Sequence, residues 1–288
     1  MCFGVRDAIE LALKQSVTEP LTVLGDLVHN ETVLATLRGR GIRIAQRVAA
    51  VETPAVMITA HGASETAIGL ARARGLKVTE ATCPLVHAAH RTVAKLVRDG
   101  YHPVIIGKRE HVEVRGLTED LREFDVVLSA ADVFELRERA RFGVAAQTTQ
   151  PIDKVRGLVE LLGRRFPQSE VRFVDTVCQP TKLRQNSAIE LAQGADVMVV
   201  VGGAHSNNTH ELVETCSRHC ARVHHVQVAN DLRAEWFAGA QTVGVTAGTS
   251  TPDESINEVE AWLLRLAARR AEEAAASWAS RMHHRQAA

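Results

Sequence analysis

Short apolar runs rich in β-branched residues alternate with stretches of helical periodicity along most of the chain. This alternation limits the folds open to it. The runs fall at 21–27, 55–60, 76–82, 103–107, 125–128, 143–147, 171–177, 197–201, 222–228 and 242–246. Helical stretches follow most of them, for example 31–38, 84–99, 152–165, 180–193, 208–218 and 252–268. Val197-Met198-Val199-Val200-Val201 and Val104-Ile105-Ile106 carry no polar alternation. Continuous apolar runs suit strands buried on both faces of a parallel sheet. The expected class is therefore α/β.

Three cysteines divide this pattern. Cys83 and Cys178 each close a strand-like run and open a helical one, and Cys2 opens the first helical stretch. The division gives three α/β lobes, 3–83, 84–177 and 178–265, the last joined by residues 1–2, and a helical or disordered tail over 266–288. No strong sequence repeat links the lobes, so their likeness is architectural. One cysteine from each lobe suits a shared centre, where three thiolates hold an iron–sulfur cluster and one iron stays open for chemistry. A helix N-terminus lowers a thiol pKa, which favours ligation. Taken singly, each cysteine also reads as a small buried hydrophobe. With no strand-like run behind it, Cys2 is expected to be the least firmly held of the three. Cys216 and Cys220, at i and i+4 beside His219, offer a zinc set, and the same segment reads as an ordinary amphipathic helix.

Aromatic residues are only 4% of the 288, so Val, Leu, Ile and Ala must build the core. The formal net charge of +0 leaves no basic excess to neutralise a duplex, which argues against nucleic acid as the main partner. No apolar run approaches the roughly 20 residues that span a bilayer. No signal segment precedes the first motif. A cytoplasmic monomer with no membrane partner is expected. There, an odd number of cysteines argues for metal, redox or burial rather than disulfides.

Polar clusters recur where strand-like runs give way to helices: Val28-His29-Asn30, Thr59-Ala60-His61-Gly62-Ala63-Ser64, His111-Val112-Glu113, Gln147-Thr148-Thr149, Ser206-Asn207-Asn208-Thr209 and Gly248-Thr249-Ser250. Open α/β sheets bind ligands at these strand ends. The inventory of His, Ser, Thr and Asn with free N–H groups suits a phosphate or diphosphate. No Walker loop and no GxGxxG is present, so a nucleotide is not the obvious anion. Each cluster also has a plainer reading. Ser, Thr and Asn at helix starts cap helices, and a lone His at a strand end is often structural. Thr148 and Thr149 either cap the helix after Pro151 or hydrogen-bond a substrate hydroxyl. Glu113 is either a proton donor or a solvated carboxylate. The repetition of His29, His61 and His111 in separate βα units favours ligand binding, because caps do not need it.

These motifs, in this order, resemble the LytB/IspH family of 4-hydroxy-3-methylbut-2-enyl diphosphate reductases. The match includes Cys2-Phe3-Gly4-Val5, Ala60-His61-Gly62, Ala81-Thr82-Cys83-Pro84, Gln147-Thr148-Thr149 and Val243-Gly244-Val245-Thr246-Ala247-Gly248, and runs from residue 2 to about 265. The resemblance implies a trefoil of three similar α/β domains with small parallel-rich sheets around a central 4Fe-4S cluster. Cys2, Cys83 and Cys178 would be the ligands. His29, His61, His111, Ser206, Asn207, Asn208 and Ser250 would hold the substrate diphosphate. Glu113 would relay protons, with Thr148 assisting at the substrate hydroxyl. Electrons would come from ferredoxin or flavodoxin. The products would be isopentenyl and dimethylallyl diphosphates, at the last step of the methylerythritol phosphate route.

The chain departs from the family pattern in places. Val112 stands where the family has Pro, Arg115 at a usually acidic position, Asn207 for a Ser and Lys108 where a His is common. Two rival readings stand beside the reductase. One is a non-redox 4Fe-4S dehydratase or condensing enzyme of the quinolinate-synthase type. The other is a cluster-binding paralogue with altered catalysis.

Overall fold

A computed structural model describes the backbone of residues 1–286 and the side chains of residues 1–278. It contains three separate all-parallel sheets. The chain opens with α1 (Phe3–Ser16). The first sheet follows through β1 (Leu21–Leu24), α2 (Glu31–Gly39), β2 (Arg43–Ala45), β3 (Ala55–Ile58), α3 (Glu65–Ala73) and β4 (Lys77–Glu80). Its strand order is β2-β1-β3-β4. α4 (Pro84–Arg98) leads to the second set: β5 (His102–Ile106), α5 (Val112–Thr118), β6 (Asp125–Val127), α6 (Ala130–Glu135), β7 (Arg141–Ala146), α7 (Ile152–Arg165) and β8 (Glu170–Phe173). The order there is β6-β5-β7-β8. α8 (Gln179–Gly194) leads to the third: β9 (Val197–Val201), α9 (Asn207–Ser217), β10 (Val223–Val226), β11 (Val243–Ala247) and α10 (Asp253–Gln286). This sheet has three strands, ordered β10-β9-β11.

The first two sheets repeat one topology and the third repeats its first three positions. In each, the order reverses between two central neighbours: β1 and β3, β5 and β7, β9 and β11. The central strands are the continuous apolar runs. Every residue of β9 and of β3 is buried, as a strand covered by helices on both faces must be. Burial of one Val or Ile side chain is worth about 1.5–3 kcal/mol, so these runs hold each sheet between its helices. The outer strands β4 and β8 contain only exposed and half-buried residues, in strict alternation in β8. Among the described residues no helix is long and apolar enough to cross a membrane.

The α/β expectation with small parallel sheets holds. Several runs overshoot their strands. The run expected over 21–27 stops pairing at Leu24, and Leu27 is buried in the turn that follows rather than paired. β2 has no counterpart among the expected strands. It is a three-residue edge strand with an exposed arginine, too short to show a period. The last helix is longer than 252–268 and continues without a break through 266.

Candidate active site

The polar clusters all sit at the carboxyl ends of the central strands. His29 follows β1 and His61 follows β3, the pair at which the first sheet reverses. His111 and Thr148 hold the matching places after β5 and β7. Ser206, Asn207 and Asn208 follow β9, and Ser250 follows β11. A reversal point between parallel strands leaves a crevice above their carboxyl ends, and here three crevices face a common space.

Three imidazoles meet there. Ring centroids are 4.4 Å apart for His29–His61, 5.0 Å for His29–His111 and 5.4 Å for His61–His111. Burial lowers the pKa of His29. His61 falls well below its ordinary value through burial and its two neighbours. His111 drops to about 3, mainly by burial and then by the charges of His29 and Lys108. The rings are therefore neutral at pH 7 when nothing anionic is bound. His111 Nδ1 accepts the Glu113 N–H at 3.1 Å, which caps α5 and leaves the ring proton on Nε2. His29 Nε2, His61 Nδ1 and the Nδ2 amides of Asn207 and Asn208 are buried without a partner. The three rings bring ligating nitrogens within 4.8 Å of one another, spacing that a cation could use. The helix starts α2, α5 and α9 converge on the same space, and their dipoles favour an anion.

Some of these residues cap helices, and others keep polar atoms without a partner. Asn30 caps α2 and Ser206 caps α9. Asn208 Oδ1 accepts the Thr249 N–H at 2.9 Å, so its unpartnered Nδ2 is oriented by a fixed bond. Ser250 Oγ donates to the His29 carbonyl at 3.3 Å. That carbonyl lies against Gly203, where a Cβ would come within 2.3 Å of it. Only glycine allows this approach of the first lobe to the third. Thr148 and Thr149 do not cap α7, whose N-cap is Pro151 with no side-chain bond.

Glu113 is buried, not solvated. Its Oε1 accepts the Thr148 N–H at 2.7 Å and its Oε2 accepts the Thr148 hydroxyl at 2.9 Å. Burial raises its pKa to about 7, and the two Thr148 bonds oppose that rise without cancelling it. A carboxyl poised there can hold or release a proton at neutral pH.

The three cysteines line one cavity of about 70 Å³ together with His61, Glu113 and Thr148. Its remaining walls include Phe3, Val5, Ala60, Leu85, Val86 and Pro180. Each cysteine is the N-cap residue of its helix, and none uses its side chain for a cap bond. Each N–H instead reaches the second carbonyl past a central strand: Cys83 to Ala60 at 3.0 Å, Cys178 to Thr148 at 3.0 Å and Cys2 to Thr249 at 2.9 Å. The three cysteine positions are thus set by one repeated backbone contact, which Cys2 shares with Cys83 and Cys178. Gly4 packs so closely that a Cβ would lie 2.6 Å from Cys83 Sγ. The expected lowering of thiol pKa by the helix N-terminus is overturned at two sites. Burial raises Cys83 and Cys178, and their helix N–H groups only moderate it. Three free thiols on apolar walls, with no disulfide, fit a sulfur-ligated cluster with one position open.

Among the described residues, Cys216, Cys220 and His219 do not bring their ligand atoms together as a three-residue metal set. Cys216 and Cys220 are buried, with sulfurs near the carbonyls of Ala188, Ala195 and Arg222. Burial raises the Cys216 thiol to about 11.

The family profile described as LytB protein matches residues 1–264. The chain belongs to the LytB family. Curated relatives named 4-hydroxy-3-methylbut-2-enyl diphosphate reductase include those of Geobacter sulfurreducens, 37% identical over 90% of this chain and 92% of the relative, and of Aquifex aeolicus, 36% identical over 90% and 91%. Among solved structures, the E-1-hydroxy-2-methyl-but-2-enyl-4-diphosphate reductase of Plasmodium falciparum matches with a TM-score of 0.83 at 26% identity, over 89% of this chain and 83% of that one. A second, described as (E)-4-hydroxy-3-methyl-but-2-enyl diphosphate reductase, the terminal enzyme of the non-mevalonate pathway, matches with a TM-score of 0.66 at 34% identity, over 92% and 96%.

In this LytB-family chain the structure adds residues that the motifs did not single out. Thr181 Oγ1 lies 3.0 Å from Cys178 Sγ and is fully buried. The Cys-x-x-Thr spacing, three residues on one helix face, carried that signal. Thr249 anchors both Cys2 and Asn208 through its backbone, which no residue-type argument finds. Lys108 lines the outer 560 Å³ cavity beside His29 and His111, with Arg47, Arg115 and His205.

Proposed function

We propose that the chain reduces (E)-4-hydroxy-3-methylbut-2-enyl diphosphate to isopentenyl and dimethylallyl diphosphates with loss of water. The reading rests on one observation: Cys2, Cys83 and Cys178 line the same cavity as Glu113, Thr148 and His61. A 4Fe-4S cluster on the three thiolates would supply electrons one at a time and a Lewis acid at its open iron. A ferredoxin or flavodoxin, both one-electron carriers, suits that delivery. The three sheets, each aiming its central strand ends at the cavity, support a trefoil of three lobes around it.

The chain's own residues divide the remaining work. The His29, His61 and His111 rings, the Asn207 and Asn208 amides, and the Ser206 and Ser250 hydroxyls hold the diphosphate. Binding of the anion raises the pKa of the neutral rings, so protons are taken up with it. Glu113, protonated in about half of the molecules at its pKa of about 7, gives its proton to the departing hydroxyl. Thr148 holds both carboxyl oxygens, one through its N–H and one through its hydroxyl, and so fixes the carboxyl in place. The apolar walls exclude water and spare the hydrocarbon from stray protonation.

Anaerobic reconstitution with iron and sulfide tests the reading. A brown chromophore and dithionite-driven consumption of the diphosphate, with both products formed, are expected. A colourless protein that takes only zinc would refute it. Turnover of a non-phosphorylated substrate without reductant would move the chain to the quinolinate-synthase type. A loaded cluster with no turnover would leave a cluster-binding paralogue.

A further inference from the structure

One cation on the helix that begins at Cys178 has no ion-pair carboxylate among the described residues. Arg184 lies on α8, six residues after Cys178, and is half-buried. Its Nη1 donates to the Ala247 carbonyl at 2.5 Å, and its Nε is buried without a partner. None of the ion pairs among the described residues includes it. Three elements carry groups whose negative charge would hold its proton: the Cys2 sulfur at the start of α1 and the Cys178 sulfur at the start of α8, each once ionised as a ligand, and Asp253 at the start of α10. Asp253 is already bound to the Met1 amino group at 2.9 Å. Burial pulls the guanidinium pKa down and these three groups pull it back up.

The bond to Ala247 has a structural consequence. Ala247 ends β11, two residues before the Thr249 carbonyl that receives the Cys2 N–H. Arg184 thus ties the helix that begins at Cys178 to the strand end that holds Cys2. A half-buried cation without a counter-ion costs stability, and the anion that would offset this is an iron–thiolate group.

We propose that Arg184 is a positioning and charge-compensating residue of the three-cysteine centre, joining the Cys178 helix to the Cys2 anchor and balancing the negative charge of the group bound there. This rests on the reading that the thiols hold an iron–sulfur cluster. Reduction adds one electron's charge to the cluster. A fixed cation beside it stabilises the reduced form more than the oxidised one, so it raises the midpoint potential.

The test uses the full chain reconstituted anaerobically, comparing wild type with Arg184→Gln, Arg184→Lys and Arg184→Met. Two quantities are read: the midpoint potential by spectroelectrochemical titration, and the rate of iron loss to a chelator. Arg184→Gln is expected to shift the potential to a more negative value and to speed iron loss about tenfold. Arg184→Lys keeps the charge and should hold the potential near wild type while losing iron at an intermediate rate. Arg184→Met keeps the stem's packing and reads the same two quantities if the Gln variant does not fold. A purely structural tie would change iron loss and leave the potential unmoved, which overturns the charge role. A Gln or Met variant with wild-type potential and wild-type iron loss overturns the proposal entirely. A wild type that forms no iron–sulfur chromophore overturns the cluster reading and this inference with it, whereas a loaded wild type with unaffected variants overturns this inference alone.

Discussion

The first two sheets each end in an outer strand that delivers the chain to a cysteine; among the described residues the third sheet shows three strands, and none of them leads into a cysteine. β4 leads into Cys83 and β8 into Cys178, whereas Cys2 follows directly on Met1. All three cysteine N–H groups nevertheless reach a carbonyl at 2.9–3.0 Å, in each case two residues past a central strand. The ends of β3, β7 and β11 therefore place the three cysteines, and the outer strands β4 and β8 serve to bring the chain there. What differs is the support behind the ligand. Cys83 and Cys178 hang from a paired strand. Cys2 depends on α1 packing against Cys83 and on an ion pair between the Met1 amine and Asp253.

If this contrast is sound, changes on the strand-backed side should alter chemistry and spare iron, and changes around Cys2 should do the reverse. The largest effect is expected from Glu113→Gln. Turnover should fall by about 10²–10⁴-fold with iron per chain unchanged; loss of iron would break the comparison. In the wild type, turnover should fall about tenfold per unit as pH rises above about 7, because the carboxyl loses the proton it donates. The same group gives a stability signature in the apoprotein. Its folded pKa of about 7 lies above the unfolded value, so its contribution is fully present below the unfolded pKa and is lost as pH rises through 7. The stability of Glu113→Gln relative to wild type should therefore climb across that window by about 3 kcal/mol, as read by urea unfolding at several pH values.

Next in size comes Gly4→Ala. The added methyl meets Cys83 Sγ at 2.6 Å and Cys83 Cβ at 3.0 Å. Overpacking of this kind costs about 1–3 kcal/mol and separates two ligand segments. Thermal melting should report the loss, and iron per chain should drop while the pH profile of the remaining activity stays put. Full iron loading in this variant would show that the Cys2 segment tolerates displacement. The smallest effect belongs to Asp253→Asn. The aspartate is mostly exposed, so the pair is worth less than about 1 kcal/mol. Iron release to a chelator should quicken slightly, with turnover unaltered. A large effect would mean that the terminal amine, rather than the Thr249 carbonyl, holds Cys2.

Much of this arrangement was legible in the chain. Val197–Val201 reads as a strand buried on both faces and is one, and Ile152–Arg165 reads as a helix to the residue. The first strand was overrun as far as Leu27 because a buried turn residue continues an apolar run without continuing the ladder. β2 escaped notice because three residues show no period. The His and hydroxyl clusters were visible as repeated motifs, yet their neutrality was not. The low pKa of His61 comes first from burial and then from rings that lie some 30 and 50 residues away in sequence. The same holds for Cys83 and Cys178, where local helix position predicted the wrong direction and burial by distant walls prevailed.

By itself, the sequence determined the βα units, the class of sheet and the residue types at each strand end. Periodicity and capping act over a few residues, so they can be read locally. Only the tertiary structure decided that three cysteines share one cavity, that Glu113 is buried against Thr148, and that Arg184 is left without a carboxylate. Those facts depend on how three separate sheets meet, and burial, charge and distance between remote segments have no local signature.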